Sequence, residues 1–394
     1  MKILCVSNYY PPFYEGGYEI SVKETMDFIE SSGHTVYVLC GTKGIPPKEI
    51  DLQDTPRAGI PHRVLNYIDY VSPSFQNKHQ VEKHNYRRTM NTLRYVQPDL
   101  IYFGNMKGIS IAPILAVQKQ NIPRVFDIGD LWPRIYLSRN LSSIMNRFLK
   151  RVIPGTIGGN IKIDPVIVPS RWMKSELVST YGSKHVFVIP RGIALPPCQI
   201  RHSSKPLRFI FAGRIEPLKG LDLIITAAKK LVETIPDFAL DIYGDGDQEY
   251  LNECREKIRI SGMEMHFNFL GRYHDVSQIL PQYDVLLMPT LAREAFGRII
   301  IEAMAARLIV IATDAYGPSE IISSGTDGFL FKRGSVQSLT DAVLAVQALD
   351  IQKLDSIRNN ARRKVEEQYE ITLVKKRVQH LIEEIAKNPK RGIK

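Results

Sequence analysis

The 394-residue chain has few cysteines, the residues that cross-link secreted proteins. Its four cysteines lie far apart and show no ligand spacing, which predicts reduced thiols in a cytoplasmic protein. No apolar run approaches the ~20 residues that cross a membrane, and the N-terminal apolar run is too short for a signal peptide. These absences predict a chain that folds in water and leave open peripheral attachment to the inner face of the cell membrane. The cysteines are Cys5, Cys40, Cys198 and Cys254.

Acidic residues are scarce in two stretches of a chain whose net charge is +11. Residues 71–151 hold thirteen Lys/Arg and four Asp/Glu, which gives +9, and residues 371–394 hold seven and two, which gives +5. Two basic zones indicate an anionic partner, and a solvated surface is the plainer alternative. Nucleic acid is the least favoured partner, because no aromatic residues interleave with the basic run in a known module pattern.

Short apolar runs alternate with helical segments along almost the whole chain. The alternation begins with the strand at 2–7 and restarts at 207–213, after a Pro-rich stretch at 189–206. This pattern is typical of parallel sheets covered by helices, and it predicts an α/β protein with two Rossmann-like domains. The further predicted strands are 35–40, 99–103, 124–127, 166–170, 186–190, 238–244, 266–271, 285–289 and 308–313, and helices are predicted at about 17–32, 219–235, 335–349 and 351–388.

The first strand is followed by two glycines, Gly16 and Gly17, that open the first helix. Glycines let a ligand approach the backbone closely, and a helix N-terminus favours an anion, although such a pair is often only a turn. The chain has no Gly-x-Gly-x-x-Gly here, which argues against an ordinary dinucleotide site. In parallel α/β sheets ligands bind at the carboxyl ends of strands, so other strand ends are further candidates.

Two cations follow the strand at 207–213. Arg214 and Lys219 stand beside the start of a helix and can clamp a diphosphate, or they are two surface cations. The strand at 238–244 ends in Gly244, followed by Asp245 and Asp247. An Asp-x-Asp pair holds a divalent metal in some transferases, but the glycines and the position between strand and helix favour a turn that faces a nucleotide.

Two glutamates flank an apolar helix after the strand at 285–289. Glu302 lies within the run IIIEAMA, and Glu294 precedes it by eight residues. A carboxylate in an apolar run is costly to bury without a partner. One carboxylate can accept two hydrogen bonds from sugar hydroxyls, so the pattern indicates a ribose on Glu302 and a hexose on Glu294.

The ordered set of motifs resembles the retaining glycosyltransferases of family 4, which have the GT-B fold. The motifs are a PP-x-x-x-GG opening, GR-x₄-KG, a Gly-x-Gly after the next strand, E-x₇-E with Phe-Gly inside, and TDAYGPSEII. The resemblance covers nearly the whole chain and is strongest over 207–332. It implies two Rossmann-like domains with a deep interdomain cleft and a nucleotide-sugar donor in the C-terminal domain.

The resemblance also implies roles for individual residues. Arg214 and Lys219 neutralise the leaving diphosphate, Glu302 binds the ribose, and Glu294 binds the transferred sugar. No metal and no cofactor beyond the nucleotide-sugar co-substrate are implied, because cations and helix dipoles supply the electrostatic stabilisation. The other donor-binding residues implied are Gly16, Gly17, Gly244, Gly271, Arg272, Phe296, Gly297, Arg298 and Ile299.

The chain departs from the family pattern in two places. Many members carry a histidine after the fourth or fifth strand of the first domain, where this sequence has Gly104 and Gly129. Asp130 follows in a DLWP motif similar to that of enzymes making bacterial surface polysaccharides, and it is the candidate contact for the acceptor or the donor sugar. Arg307 stands where glycine is usual after EAMA.

The resulting hypothesis is a metal-independent retaining hexosyltransferase. It moves a sugar from a UDP- or GDP-sugar to a hydroxyl of a saccharide or lipid-linked acceptor, in bacterial surface polysaccharide or glycoconjugate synthesis. Alternatives are a nucleotide-sugar epimerase with the same fold and a catalytically inactive partner of another transferase that binds a nucleotide sugar. Residues 1–195 are expected to bind the acceptor, 196–365 the donor, and 366–394 to form a helix that packs on the first domain.

A membrane-facing segment is predicted within the first basic zone. Residues 142–153 carry an apolar stripe at helical spacing, flanked by Arg147, Lys150 and Arg151. A basic helix with an apolar face can lie on an anionic bilayer, and packing in the domain core is the alternative.

Overall fold

The computed structural model describes residues 1–43, 55–67, 75–134, 161–198, 206–273 and 275–388, without the side chains of 75–78. The chain forms two compact units. Unit 1 comprises Met1–Ile189 together with Lys375–Lys394, and unit 2 comprises Pro190–Val374. The predicted segment 142–153 lies outside the described residues.

Unit 1 contains a parallel sheet of seven strands in the order β3-β2-β1-β4-β5-β6-β7. The central strands are almost wholly buried, as the apolar runs in the sequence predict. The strand order reverses between β1 and β4, and at such a reversal the two flanking connections leave in opposite directions and open a crevice. The strands are β1 Lys2–Ser7, β2 Thr35–Gly41, β3 Pro61–Leu65, β4 Leu100–Phe103, β5 Arg124–Asp127, β6 Val166–Val168 and β7 Val186–Val188.

The described helices of unit 1 connect these strands and include part of the chain's last helix. The earlier helices are α1 Gly17–Ser31, α2 Phe75–Val96, α3 Ala112–Gln118 and α4 Arg171–Tyr181. From Lys375 onward the last helix belongs to unit 1. The Lys375 ammonium is 2% exposed and donates to the Ser21 carbonyl of α1 at 2.9 Å and to the Thr25 hydroxyl at 2.5 Å. These contacts attach the C-terminal end of the chain to α1.

Unit 2 contains a parallel sheet of six strands in the order β10-β9-β8-β11-β12-β13. Successive residues of β8 enter different apolar cores, because side chains alternate across a strand: Phe209 and Phe211 join one, and Ile210 joins the other. Both faces of the sheet are therefore covered. The strands are β8 Phe209–Ala212, β9 Leu240–Tyr243, β10 Phe267–Gly271, β11 Val285–Met288, β12 Ile309–Thr313 and β13 Phe329–Phe331.

The helices of unit 2 lie between these strands and after them. They are α5 Leu221–Thr234, α6 Gln248–Ile260, α7 Arg298–Ala305, α8 Tyr316–Ile321, α9 Val336–Ala348 and α10 Ile351–Gln368, and the last helix of the chain is α11 Ile371–Lys387. The two Rossmann-like parallel sheets confirm the fold class predicted from the alternating pattern. Two strands, β3 and β13, lie outside the predicted set, because β3 contains proline, histidine and arginine, and β13 is a three-residue apolar run followed directly by Lys332 and Arg333.

The C-terminal helical segment predicted as continuous over 351–388 is broken at Tyr369 and Glu370. There the backbone pairs with Ile193, which donates to the Tyr369 carbonyl at 2.9 Å and accepts from Ile371 at 2.9 Å. The Tyr369 ring also packs edge-on against Phe296, with the ring centroids 5.8 Å apart. A tertiary strand-like contact therefore overrides helical periodicity that is otherwise continuous in the sequence.

The most buried ion pair of unit 2 among the described residues joins α10 to the start of β11. The Arg358 guanidinium lies 2.9 Å from Asp284 Oδ1, and the two side chains are 4% and 3% exposed. Asp284 Oδ2 accepts from the Arg208 backbone N–H at 2.9 Å. Removing one member of such a pair leaves the other charge buried, whereas an exposed pair contributes little.

We therefore expect Arg358→Met to lower the free energy of unfolding by about 3–5 kcal/mol. Arg259→Met, which removes an exposed pair with Glu256, serves as the matched control and should change stability little. Urea unfolding of the two variants measures the difference. Equal losses in both variants would show that burial does not decide the contribution of the Arg358 pair.

Candidate functional site

Most of the predicted donor-binding residues gather where the strand order of unit 2 reverses. The reversal lies between β8 and β11, which are hydrogen-bonded neighbours. Arg214 and Lys219 follow β8, and Glu294 and Glu302 follow β11. Ligands of parallel α/β sheets bind outside the carboxyl ends of the strands at such a reversal.

The loops at this edge of the sheet approach one another more closely than side chains allow. A Cβ on Gly244 would lie 1.9 Å from the Gly213 carbonyl oxygen, and one on Gly246 would lie 1.9 Å from that of Ile215. A Cβ on Gly220 would lie 2.0 Å from the Pro289 carbonyl oxygen. The role of Gly244 visible in the structure is thus to bring the loops after β8 and β9 together.

Lys219 is held beside Glu294 by the backbone of both loops. The Leu218 carbonyl accepts from the Leu291 N–H at 2.8 Å and from the Ala292 N–H at 3.0 Å. The Lys219 ammonium then donates to Glu294 Oε2 at 2.8 Å, and both side chains are about one-fifth exposed. An ammonium has three donors, so Lys219 can bind a further anionic oxygen while it keeps Glu294.

Glu302 has a partner one turn earlier in α7. The Arg298 Nε donates to Glu302 Oε1 at 2.8 Å, and both side chains are about one-fifth exposed. This pair accounts for a carboxylate within an apolar run, since the four-residue spacing puts both groups on one face of the helix. Gly297 caps the helix with φ 98°, a conformation that favours glycine.

The remaining predicted donor residues differ in what they expose. The Phe296 side chain is 6% exposed and packs in the apolar core, so only its backbone is available to a ligand, and Ile299 is half-buried. The Arg214 side chain is 69% exposed and lies 3.4 Å from Glu216. Gly271 ends β10 with φ 73°, and Arg272 after it is exposed.

The Asp-x-Asp pair has local structural roles. Asp247 Oδ1 accepts from the Tyr250 N–H at 3.1 Å and caps α6, and Asp245 Oδ1 accepts from the Gly246 N–H at 2.8 Å. Within the described residues, no group of three or more His, Cys, Asp or Glu side chains could hold a metal ion. Helix capping explains Asp247 without an ion.

Arg307, which stands where the family usually has glycine, adopts φ 64°. This left-handed backbone explains why glycine is usual there, because glycine adopts it without a steric cost. The Arg307 guanidinium donates to the Asn359 side chain of α10. That contact gives the arginine a partner in the conformation that the turn requires.

In unit 1, Asp130 lies in a cluster at the reversal between β1 and β4. Asn105, directly after β4, directs its amide nitrogen to Glu19 Oε1 at 3.2 Å and to Asp130 Oδ2 at 3.5 Å. Glu19 Oε2 accepts from the backbone N–H of Gly16, the N-cap of α1, at 3.1 Å. Gly17 is the first residue of that helix. The structure thus brings Gly16, Gly17 and Asp130 to one edge of the unit 1 sheet.

Sequence reasoning missed Glu19 and Asn105. Glu19 is 4% exposed, and burial raises the pKa of its carboxyl, as does the nearby Asp130, while hydrogen bonds from Asn105 and Gly16 lower it. The signal for Glu19 is its position three residues after the helix cap, which is typical of a capping box. Asn105 follows Gly104, where a Cβ would lie 3.0 Å from Ser7 Oγ.

Two family models together match most of the chain. One, described as glycosyl transferases group 1, matches residues 198–364, and the other, glycosyltransferase family 4, matches residues 15–195. The chain belongs to this family of glycosyltransferases with the GT-B fold. The match to the first model contains the reversal site of unit 2, and the match to the second contains Glu19, Asn105 and Asp130.

Individual relatives agree with this assignment. A phosphatidyl-myo-inositol mannosyltransferase of Mycobacterium leprae is 32% identical over 145 residues, which cover 36% of this chain and 37% of that protein. A glycosyltransferase structure from Rickettsia africae has a TM-score of 0.75 at 21% identity and covers 98% of this chain and 99% of that one. Anabaena HepE, solved with UDP and also with UDP-glucose, has a TM-score of 0.70 for the UDP complex at 21% identity, with coverage of 98% and 100%. At these identities the structures show the fold alone.

The described helices also bear on the membrane question. None of them is both long enough and apolar enough to cross a bilayer.

Lys219→Ala should lower turnover at saturating nucleotide sugar by about 10²- to 10³-fold if Lys219 stabilises the leaving diphosphate, as the resemblance to the family implies. The control is Lys257→Ala, which removes a more exposed ammonium that lies 2.5 Å from Asp222 in the same unit. Nucleoside diphosphate release measures turnover of both variants. Near-normal turnover of both Lys219→Ala and Arg214→Ala would place the donor site elsewhere.

Proposed function

We propose that the protein is a retaining glycosyltransferase that transfers a hexose from a nucleoside-diphosphate sugar to an acceptor hydroxyl. The observation that carries this proposal is the pair of adjacent carboxylate–cation contacts at the reversal of unit 2, Lys219 with Glu294 and Arg298 with Glu302. Cations suit a diphosphate and carboxylates suit sugar hydroxyls, so both halves of a nucleotide sugar find partners there. Family membership and the UDP bound to HepE support a UDP- or GDP-type donor.

Lys219 and Arg214 stabilise the negative charge that develops on the diphosphate as its bond to the anomeric carbon breaks. The N-terminus of α7, with Gly297 and Arg298, contributes backbone N–H groups of the same polarity. Glu294 accepts hydrogen bonds from the transferred sugar, and its contact with Lys219 fixes the sugar relative to the leaving group. The acceptor hydroxyl attacks the face from which the diphosphate leaves, so the configuration is retained.

Glu302 binds the ribose hydroxyls in this proposal. Each carboxylate oxygen can accept about two hydrogen bonds, so the contact with Arg298 leaves capacity for a diol. Gly271 and Arg272 lie at the end of β10 and flank the base. The role of Phe296 and Ile299 is limited to backbone contacts, and Gly244 shapes the neighbouring turn.

Unit 1 receives the acceptor, with Asp130 as the contact to the acceptor or to the donor sugar. A saccharide or lipid-linked acceptor fits the similarity to a phosphatidyl-myo-inositol mannosyltransferase. Peripheral attachment to an anionic membrane and a place in surface polysaccharide synthesis are parts of the same proposal. The basic zone at 71–151 supports them through its charge of +9.

The first test is release of nucleoside diphosphate from a panel of UDP- and GDP-sugars with saccharide acceptors, followed by NMR of the product's anomeric configuration. A retained configuration supports the proposal. An epimerised free sugar would favour the epimerase alternative, and tight binding with no turnover on any donor would favour a silent binding partner.

Activity should persist in excess EDTA, because Lys219, Arg214 and the α7 N-terminus supply the positive charge at the leaving group. Turnover before and after chelation measures this. Complete loss, with rescue by manganese or magnesium, would contradict metal independence and make Asp245 and Asp247 candidate ligands.

Glu302→Gln should weaken binding of bare nucleoside diphosphate and of the full donor alike, because the ribose is present in both. Glu294→Gln should leave nucleoside diphosphate binding nearly unchanged and lower turnover with the full donor, because its partner is the sugar. Calorimetry of each variant with nucleoside diphosphate and with the full donor measures this division of roles between Glu302 and Glu294. Equal effects of the two variants on bare nucleotide would contradict it.

A further inference from the structure

The amide of Asn105 has a defined orientation in unit 1. Its oxygen accepts from the Lys107 backbone N–H at 3.0 Å, so its nitrogen faces the carboxylates of Glu19 and Asp130. The Asn105 backbone is fixed as well, because its carbonyl accepts from the Asn8 N–H at 2.6 Å. One buried amide therefore donates to two carboxylates that would otherwise repel each other.

Glu19 is attached on its other side to the start of α1. Its second oxygen accepts from the Gly16 N–H at 3.1 Å, and the neighbouring Tyr18 hydroxyl donates to the Asp127 carbonyl at the end of β5. Asp130 Oδ1 accepts from the Trp132 N–H at 2.8 Å, and the Trp132 side chain is 2% exposed. A continuous set of hydrogen bonds thus joins the glycine turn to Asp130.

We propose that Glu19 is a positioning residue that acts through Asn105 to hold Asp130 in place for its substrate. The proposal rests on the role of Asp130 in the proposed function. Glu19 is 4% exposed and Asn105 is 5% exposed, whereas Asp130 is half-buried, so Asp130 alone of the three presents its carboxylate to a ligand. A buried amide nitrogen that lies 3.2 Å from Glu19 and 3.5 Å from Asp130 restricts the rotation of the Asp130 carboxylate.

Asn105→Asp tests the contacts of the Asn105 amide with Glu19 and Asp130 without changing the shape of the side chain. It replaces the donor between two carboxylates by an acceptor and keeps the oxygen that accepts from Lys107. We expect kcat to fall between about 10- and 100-fold, with the affinity for bare nucleoside diphosphate unchanged, because misplacement of a reacting contact affects turnover strongly. The control is Asn85→Asp, another fully buried asparagine of unit 1, which donates to the Asn66 and Ile109 carbonyls.

The control should lower the melting temperature and leave kcat close to that of the unchanged protein. Equal kcat values for Asn105→Asp and Asn85→Asp, at matched melting temperatures, would overturn the proposal. A double-mutant cycle adds a second criterion. Glu19→Gln should lower kcat in the unchanged protein and have no further effect in Asp130→Asn, because Glu19 acts through that carboxylate. Independent, additive losses would indicate a structural role for Glu19 and overturn the proposal.

A readout without turnover separates this inference from the proposed function. In protein labelled with carboxyl ¹³C aspartate, the Asp130 signal is assigned by its absence in Asp130→Asn. Glu19→Gln and Asn105→Ala should each shift that signal, and an unchanged signal would overturn the inference. If the unchanged protein releases no nucleoside diphosphate from any donor, the proposed function fails, and the ¹³C experiment still decides whether Glu19 and Asn105 control Asp130.

Discussion

Close approach of backbone loops at the carboxyl edge of the unit 2 sheet is the constraint on which the candidate donor site depends. The loop after β8 contacts the loop after β9 at two points where a Cβ would lie 1.9 Å from a carbonyl oxygen, and it contacts the loop after β11 through Gly220. Because these contacts fix the backbone on both sides of Lys219, they place its ammonium beside Glu294. Charged groups that a fixed backbone holds in place stabilise a transition state most effectively.

The two units carry polar groups at equivalent places in their sheets, but the groups differ in kind. In each, the strand order reverses between two neighbours, and polar groups collect at the carboxyl ends beside the reversal. Unit 2 collects cations paired with carboxylates, which suits a ligand with both anionic and hydroxyl groups. Unit 1 collects two carboxylates bridged by one amide, a set whose oxygens can accept hydrogen bonds from hydroxyl groups.

The two parallel sheets, and the strand ends at which the candidate donor residues lie, could be predicted from sequence, because buried parallel strands are apolar along their length and their ends are marked by glycine. What could not be predicted were contacts made by residues with an ordinary local pattern. Asn105 follows β4 as many asparagines follow strands, and nothing local shows that its amide reaches α1 and Asp130. The break at Tyr369 arises from pairing with Ile193, more than 170 residues away, which periodicity within a helix does not report.

The environment of Glu302 could be predicted in part from its local sequence. Its position in an apolar run indicates a function, yet Arg298 four residues earlier is a partner that the spacing alone could have suggested. Pairing and function are compatible, because the Arg298 contact accounts for one of the hydrogen bonds that the carboxylate can accept. The pair also lowers the cost of keeping a carboxylate at the rim of an apolar helix. Lys219 pairs with Glu294 as Arg298 pairs with Glu302, so each candidate sugar-binding carboxylate has a cation that offsets its charge at this edge of the sheet.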